Sequence, residues 1–374
     1  MTSTPRDVIV VGGGIIGCLT AYLLARQGAK VTVFEADSVG SHASGFAFGE
    51  LGPLDGAGIP HPLLEFSVWS FQRHCTLAEE LRDASGVDSQ FEFRDRLVLA
   101  FDEGEVRELK KKLAWQRKVQ GFLVEWLDGE EVRRIEPRIN PECRGAVCMQ
   151  RNGSLEAYRY TLAAAQAGAK LGVEMAQRRV TGLLAQGDQC LGVTFQNGQM
   201  QCGAVVLAMG PWTQRASPWC RVNIPVSPLK GQILRLKLEA APVRASLFYG
   251  ASYVSSKPDG LFWAGTTEEL VGFDEQVTVP ARDKITADLV KMVPSLAGGE
   301  LVLQTACLRP LSQDGMPLVG RAPGWQNLYL GTGAGRKGIL WSTGMSQGLA
   351  DLVLQGRSDV PGLVALDPAR FRQD

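Results

Sequence analysis

Apolar and polar positions along the chain fall into two periods, one of about two residues and one of about three and a half, and the changes between them mark the elements. Val8 to Val11 is an uninterrupted apolar run, the pattern of a strand covered on both faces. It passes through Gly12-Gly13-Gly14-Ile15-Ile16-Gly17 into an Ala/Leu-rich helix that stops at Gly28, and Val31-Thr32-Val33-Phe34 then resumes a strand. Together these form one complete βαβ unit. Leu64, Val68, Phe71, Leu77 and Leu81 recur at helical spacing and predict an amphipathic helix over Leu63 to Arg82. Leu97 to Phe101 reads as a strand, and the charged run Glu103 to Lys118 as a solvated helix. Small residues make a helix of Glu156 to Gly172, which feeds Val173-Glu174 and then Arg179 to Leu183. Three short strands with glycine turns follow at Leu183-Leu184, Cys190 to Gln196 and Gln201 to Met209. The end of the last, Ala204 to Gly210, is continuously apolar and closes on a glycine, as a buried parallel strand reaching a ligand would.

Beyond Trp212 the character changes. Prolines at 218, 225, 228 and 242 punctuate extended runs at Gln232 to Leu238, Leu247 to Ser255 and Leu261 to Thr266, which predict long antiparallel strands of a second domain. Ala281 to Val293 reads as a helix, Leu301 to Cys307 as a strand and Leu328 to Gly331 as a last strand. A glycine-rich turn, Thr332 to Gly338, then opens a final helix from about Ile339 to Leu354. Gly40 to Pro53 is small, polar and glycine-rich, and is expected to be an irregular loop. A chain of 374 residues is too long for one simple core, so two domains are expected.

The glycine loop carries the first chemistry. Gly12 suits the tight turn off the strand, Gly14 lets backbone approach a pyrophosphate, and Gly17 lets the helix lie close on the sheet. The backbone of Ile15 and Ile16 opens a helix whose free N–H groups attract phosphate. Glu35 ends the second strand, between Phe34 and Ala36, where a carboxylate accepts a ribose 2′-hydroxyl and disfavours the 2′-phosphate of NADP. The motif leaves NAD and FAD both open.

Composition narrows the rest. Lys+Arg and Asp+Glu balance at 39 each, so no nucleic-acid partner is expected. No stretch reaches 18 uninterrupted apolar residues, and Val8 to Ile16 reads as strand and turn rather than as a leader. A cytoplasmic protein is expected, with peripheral attachment to a membrane left open. The 8 cysteines contain no C-x-x-C, so no metal site is expected and the thiols read as buried and reduced. The 3 histidines, His42, His61 and His74, all lie early in the chain, which argues against a Ser/His/Asp hydrolase.

Seven features in order carry a resemblance: the opening βαβ unit ending at Glu35, the loop around Ser44 and Gly49, Ala208-Met209-Gly210, Pro228-Leu229-Lys230-Gly231-Gln232, Leu308-Arg309-Pro310, Asp314-Gly315-Met316-Pro317, and the turn Gly331 to Leu340. The chain resembles the glycine oxidase and D-amino acid oxidase/dehydrogenase family of FAD-dependent oxidoreductases over essentially its whole length. The resemblance implies an α/β two-domain fold. Its Rossmann-like FAD-binding domain would be built from residues 1–85, 145–215 and 300–374, and an antiparallel-sheet substrate domain from 86–144 and 216–299. It implies cofactor contacts at the glycine loop, Phe34, Glu35 and Ala36, and also at Ser44, Gly49, Glu50, Val180, Ala208, Gly210, Trp212, Gly335, Arg336, Lys337, Gly338 and Ile339.

The implied reaction oxidises the C–N bond of glycine, an N-substituted glycine or a D-amino acid by hydride transfer to the flavin N5. It gives an imine that hydrolyses to an oxo acid and an amine or ammonia. Arg309 matches the family's carboxylate-binding arginine, and a planar bidentate donor set between an apolar strand and a proline suits that task. Tyr253 matches a substrate-side tyrosine, and Arg336 an arginine of the turn near substrate and flavin. The final helix would set its positive end near the flavin C2 carbonyl. A neutral amine needs no enzyme base, and Glu268 and Glu269 read as loop carboxylates. Phe248, Ala251 and Ser252 stand where glycine oxidases carry polar and aromatic pocket residues, which leaves the substrate open. Cys307 resembles in position the cysteine that carries covalent flavin in monomeric sarcosine oxidases; non-covalent FAD is the favoured expectation. The acceptor is oxygen or another electron carrier, and a homo-oligomer is compatible with the chain. The alternatives are a flavin subunit of a hetero-oligomeric or membrane-associated dehydrogenase, a flavoprotein without turnover, and a nicotinamide-dependent enzyme.

Overall fold

The structure is a computed structural model that describes residues 7–372. The chain forms two compact units. The first comprises the chain up to Phe91, Leu155–Leu229 and the chain from Leu308 on; the second comprises Glu92–Ser154 and Lys230–Cys307. These breaks, after Phe91, Ser154, Leu229 and Cys307, lie 6 to 14 residues beyond the domain limits expected at 85, 144, 215 and 299.

The first unit is built on a six-stranded sheet. Its order is Leu318–Arg321, Leu328–Thr332, Ala204–Leu207, Asp7–Val11, Lys30–Glu35, Glu174–Gln177. Every neighbouring pair is parallel except the first, where Leu318–Arg321 runs antiparallel to Leu328–Thr332. Val8, Ile9, Val10 and Val11 are all buried because both faces are covered. On one side Ile9, Val11, Phe34, Val205, Leu207, Leu328 and Leu330 join Val180, Cys190 and Val193 in one core. The last three come from a three-stranded antiparallel meander, Val180–Gln186, Gln189–Phe195 and Gly198–Gln201. Helices Ile15–Arg26, Leu64–Ser85, Ala157–Lys170 and Gly338–Gln355 pack on one another as a second layer.

The second unit holds a curled, mostly antiparallel sheet. Its order is Glu300–Ser312, Val226–Lys237, Phe262–Gly265, Ser252–Ser256, Ser246–Tyr249, Glu92–Ala100, Gly145–Ser154, with Val124–Asp128 also paired to the last. Leu97, Leu99, Leu234, Leu236, Leu247, Val254, Phe262 and Ala264 point to one face. There they meet Val132 of helix Gly129–Ile135 and Ile285, Leu289 and Met292 of helix Val279–Met292. Strand alternation turns Phe248, Tyr253 and Trp263 to the other face.

Four expectations need correction. Gly40 to Pro53 is not wholly irregular: it holds a one-turn helix, Ala43–Phe46, and a short strand, Glu50–Leu51. Leu247 to Ser255 is a hairpin of Ser246–Tyr249 and Ser252–Ser256, turned at Gly250, whose φ is +55°. Its first strand pairs parallel, not antiparallel, with Glu92–Ala100. Gln201 to Met209 divides between two sheets, because Gly198–Gln201 stays in the meander while Ala204–Leu207 enters the parallel sheet. Strands Val124–Asp128 and Gly145–Ser154 and helix Gly129–Ile135 lie in a stretch for which the sequence pattern supplied no element.

Candidate active site

Parallel strands end on the same edge of a sheet, so the six-stranded sheet gathers segments far apart in sequence. Asp7–Val11 ends at the glycine loop, Lys30–Glu35 at Glu35 and Ala36, Ala204–Leu207 at Ala208 to Gly210, and Leu328–Thr332 at the turn before Gly338. Most of the expected cofactor residues of this unit lie at these four strand ends.

The glycine loop is held by its own surroundings. The Gly12 N–H donates to the Phe34 carbonyl at 2.8 Å, and the Ala208 N–H to the Val11 carbonyl at 2.8 Å. At Gly12 φ is +116°, and a Cβ there would lie 2.3 Å from the Ala208 oxygen. A Cβ on Gly17 would lie 1.9 Å from the Gly12 oxygen, so only a hydrogen lets the helix start where it does. Glu35 is half-buried; its Oε2 accepts the Gly13 N–H at 2.6 Å and its Oε1 the Asp37 N–H at 2.8 Å. These bonds fix the carboxylate beside the loop.

Helix Ile15–Arg26 starts after Gly14 with no side-chain cap from that residue and no acid in its first turn. Its opening N–H groups, with the positive end of the helix dipole, favour an anion. The Ser44 hydroxyl accepts the Ile15 N–H at 3.0 Å, and Ser44 Oγ is the one atom close to a Cβ built on Gly14, at 3.1 Å. An uncharged, movable hydroxyl in front of a helix N-terminus, with a fixed carboxylate one strand away, is a donor set that fits a dinucleotide. Trp212 is half-buried, with its ring against His42 at 4.6 Å between centroids, and His42 Nε2 lies 3.0 Å from Asp37 Oδ2. His42 was not among the expected site residues; a histidine in a glycine-rich loop carries no periodic signal.

Some expected residues also take part in the frame. The Phe34 ring is buried 5.3 Å from Phe195 between centroids, and Val180 belongs to the same core. The Gly49 carbonyl accepts the Leu155 N–H at 3.0 Å. Glu50 opens the short strand Glu50–Leu51 and is half-buried. Gly210 accepts from the Thr213 hydroxyl at 2.7 Å and the Thr332 hydroxyl at 2.8 Å, which ties two strand ends together. The Lys337 ammonium donates to the Gly52 carbonyl at 2.8 Å and pairs with Asp55.

The last helix, Gly338–Gln355, likewise starts without a side-chain cap or an acid in its first turn, directly after Gly335–Lys337. Ile339 is buried at its start. Its carbonyl and that of Leu340 accept from His74 Nε2 at 2.9 and 3.0 Å. Both partners are carbonyls, so Nε2 carries the proton and Nδ1 the lone pair. Burial pushes the His74 pKa down to about 4 and keeps the ring neutral.

Arg309 lies within strand Glu300–Ser312, and Leu311 of that strand forms an antiparallel bridge with Ala334. Arg309 therefore lies two residues before Leu311 and Arg336 two residues after Ala334, on the same side of one bridge; Arg309 is half-buried and Arg336 exposed. Tyr253, in the second unit, is buried on the sheet face away from the core, with Phe248 at 5.9 Å between centroids. A Cβ on Gly265 would touch its phenol ring at 2.6 Å. All eight cysteines are free; burial pushes Cys18 up to about 12, so it is not a nucleophile. Among the described residues no group of three His, Cys, Asp or Glu could hold a metal, and no helix is long and apolar enough to cross a membrane.

The chain is similar to known proteins along its length. The family model for FAD dependent oxidoreductases matches residues 7–352. A glycine oxidase of Pseudomonas aeruginosa is 31% identical over 369 residues, 97% of both chains. The crystal structure of glycine oxidase from Geobacillus kaustophilus superposes with a TM-score of 0.93 at 27% identity, covering 99% of this chain and 100% of that one. That of glycine oxidase from Bacillus cereus gives 0.90 at 29%, with the same coverage. With its parallel strand ends, its glycine loop and this full-length match, the chain belongs to the DAO family of FAD-dependent oxidoreductases.

Proposed function

We propose that this chain oxidises the C–N bond of a small amino acid, glycine, an N-substituted glycine or a D-amino acid, and releases an imine that water hydrolyses. The observation that carries the reading is the placement of Arg309 and Arg336 about the Leu311–Ala334 bridge, in a unit whose strand ends suit a dinucleotide. Two guanidinium groups there match a substrate carboxylate. The similarity to glycine oxidases supports an amine donor.

FAD, when bound, supplies the two-electron acceptor for the hydride that leaves Cα. Arg309 holds the carboxylate in two parallel hydrogen bonds and so orients Cα, the largest service a site can render to such a transfer. Arg336 adds a second positive charge, and Tyr253 is the substrate-side phenol of the second unit. The amine lone pair drives the departure, so no enzyme base is needed. Glu35 would hold the ribose, the helix after Gly14 the phosphates, and the N-terminus of Gly338–Gln355 the pyrimidine carbonyl end of the flavin, where the helix dipole would favour negative charge. FAD without a covalent link is the favoured reading over a link through Cys307, a buried free thiol. In this reading the first unit holds FAD and, through Arg309 and Arg336, the substrate carboxylate.

The test is anaerobic mixing of the flavin-loaded protein with glycine, sarcosine and D- and L-amino acids, followed by air. Bleaching by one class with rapid return in air establishes an oxidase and names the class. Bleaching that persists in air points to a dehydrogenase with a separate acceptor. A fully loaded protein bleached by none of them overturns the amine reading.

A further inference from the structure

Helices Leu64–Ser85 and Gly338–Gln355 are joined by a buried row of side-chain hydrogen bonds where apolar packing alone would suffice. Trp341 Nε1 donates to Ser67 Oγ at 3.2 Å, Thr343 Oγ1 donates to the Ser70 carbonyl at 2.9 Å, and His74 Nε2 donates to the Ile339 and Leu340 carbonyls at 2.9 and 3.0 Å. Ser67, Ser70 and His74 are 0% exposed, and Trp341 and Thr343 are 1% exposed. Apolar ridges tolerate a slide of one helix along another, whereas a buried donor that loses its acceptor is left unsatisfied. The row therefore sets the axial position of the last helix. His74 is its outermost rung and acts on the first turn of that helix. Its ring is held in turn by Tyr160, 5.2 Å away between centroids.

We infer that His74 is a positioning residue for the flavin: by donating to the Ile339 and Leu340 carbonyls it fixes the first turn of Gly338–Gln355 and polarises the peptides whose N–H groups form the positive end of the helix. This rests on the proposed placement of that end at the flavin's pyrimidine carbonyl. A first turn held in place favours the reduced, anionic flavin, so His74 raises the flavin midpoint potential and tightens FAD without touching it. Nothing about the ring suits it to proton transfer: one nitrogen is committed to two carbonyls and the ring is fully buried.

The experiment measures midpoint potential, FAD dissociation constant and melting temperature on the flavin-loaded protein and its variants. His74→Leu removes the donor and is expected to lower the potential and weaken FAD about fivefold or more. His74→Gln, whose amide can reach the Nε2 position, is expected to restore both to within about twofold, and the shorter His74→Asn is not. Leu77→Ala, in the same helix and 1% exposed, is expected to lower the melting temperature and leave the potential unmoved. If His74→Leu and His74→Asn lose stability as Leu77→Ala does, with the potential unchanged, the inference fails. Should His74→Leu not fold, the contrast between Gln and Asn decides it on the same readouts. Gly338→Asp separates the underlying placement, because a carboxylate at the helix start must lower the potential if that end faces the flavin. If Gly338→Asp has no effect, the placement fails and this inference with it; if it lowers the potential while the His74 variants do not, this inference alone fails.

Discussion

A methyl group at position 12 would collide with the Ala208 carbonyl and sit on a backbone with φ of +116°. Gly12→Ala is therefore expected to cost about 2 kcal/mol or more in stability and to leave the purified protein short of FAD, measured by melting and by flavin content. Arg309→Lys keeps the charge but loses the planar fork. We expect KM for the amine to rise about 30- to 100-fold with a smaller change in kcat, read from steady-state kinetics. His74 has a pH signature. Its pKa falls from 6.5 to about 4 on folding, so the unfolded chain binds the extra proton between those values. Its contribution is complete above pH 6.5 and declines as the pH drops towards 4, by about 3 kcal/mol in all. The wild type should lose stability across that window by more than His74→Gln does, in denaturant melts at stepped pH. The role of Gly12 was legible in the sequence, because its neighbours in the motif are local. That of His74 was not: its acceptors lie more than 260 residues away, and a single histidine on a helix has no pattern.

At the scale of elements, long periodic segments read well and short segments joined by turns did not. Helix Leu64–Ser85 and helix Val279–Met292 follow their apolar spacing, whereas the hairpin at Gly250 was hidden inside an apolar stretch that reads as one strand. Residues 267–278 are tied down by charge rather than by apolar packing. The Lys230 ammonium, 1% exposed, lies 2.8 Å from Asp274 and 3.5 Å from Glu269, and donates to the Gln276 carbonyl at 3.1 Å. The nearby carboxylates hold the lysine above its usual range despite the opposing effect of burial, and Glu269 below its own, where hydrogen bonds from Thr267 and Gln232 add to the lysine's charge. Lys230→Met should release this segment, where Leu270 and Val271 are already exposed, and create a protease cut there that the wild type resists. Equal resistance of the two proteins would show that other contacts hold the segment.

For the molecule as a whole, the parallel sheet means that a dinucleotide contacting its strand ends would link segments from across the chain. FAD at about 100 times its dissociation constant should stabilise the first unit by about 2.7 kcal/mol, seen as an upward shift in that unit's unfolding transition. An apoprotein that melts at the same temperature with and without FAD would contradict this. Local chemistry was enough to define the βαβ unit and its glycine loop ending at Glu35, because each is a short-range pattern of turn residues and periodicity, while the candidate arginines came from the family resemblance. The strand order, the parallel pairing of Ser246–Tyr249 with Glu92–Ala100, the pairing of Lys337 with Asp55 and the seating of His74 under the last helix depend on partners distant in sequence. Such contacts leave no periodic trace in either partner, so they become visible only once the folded chain sets the two side by side.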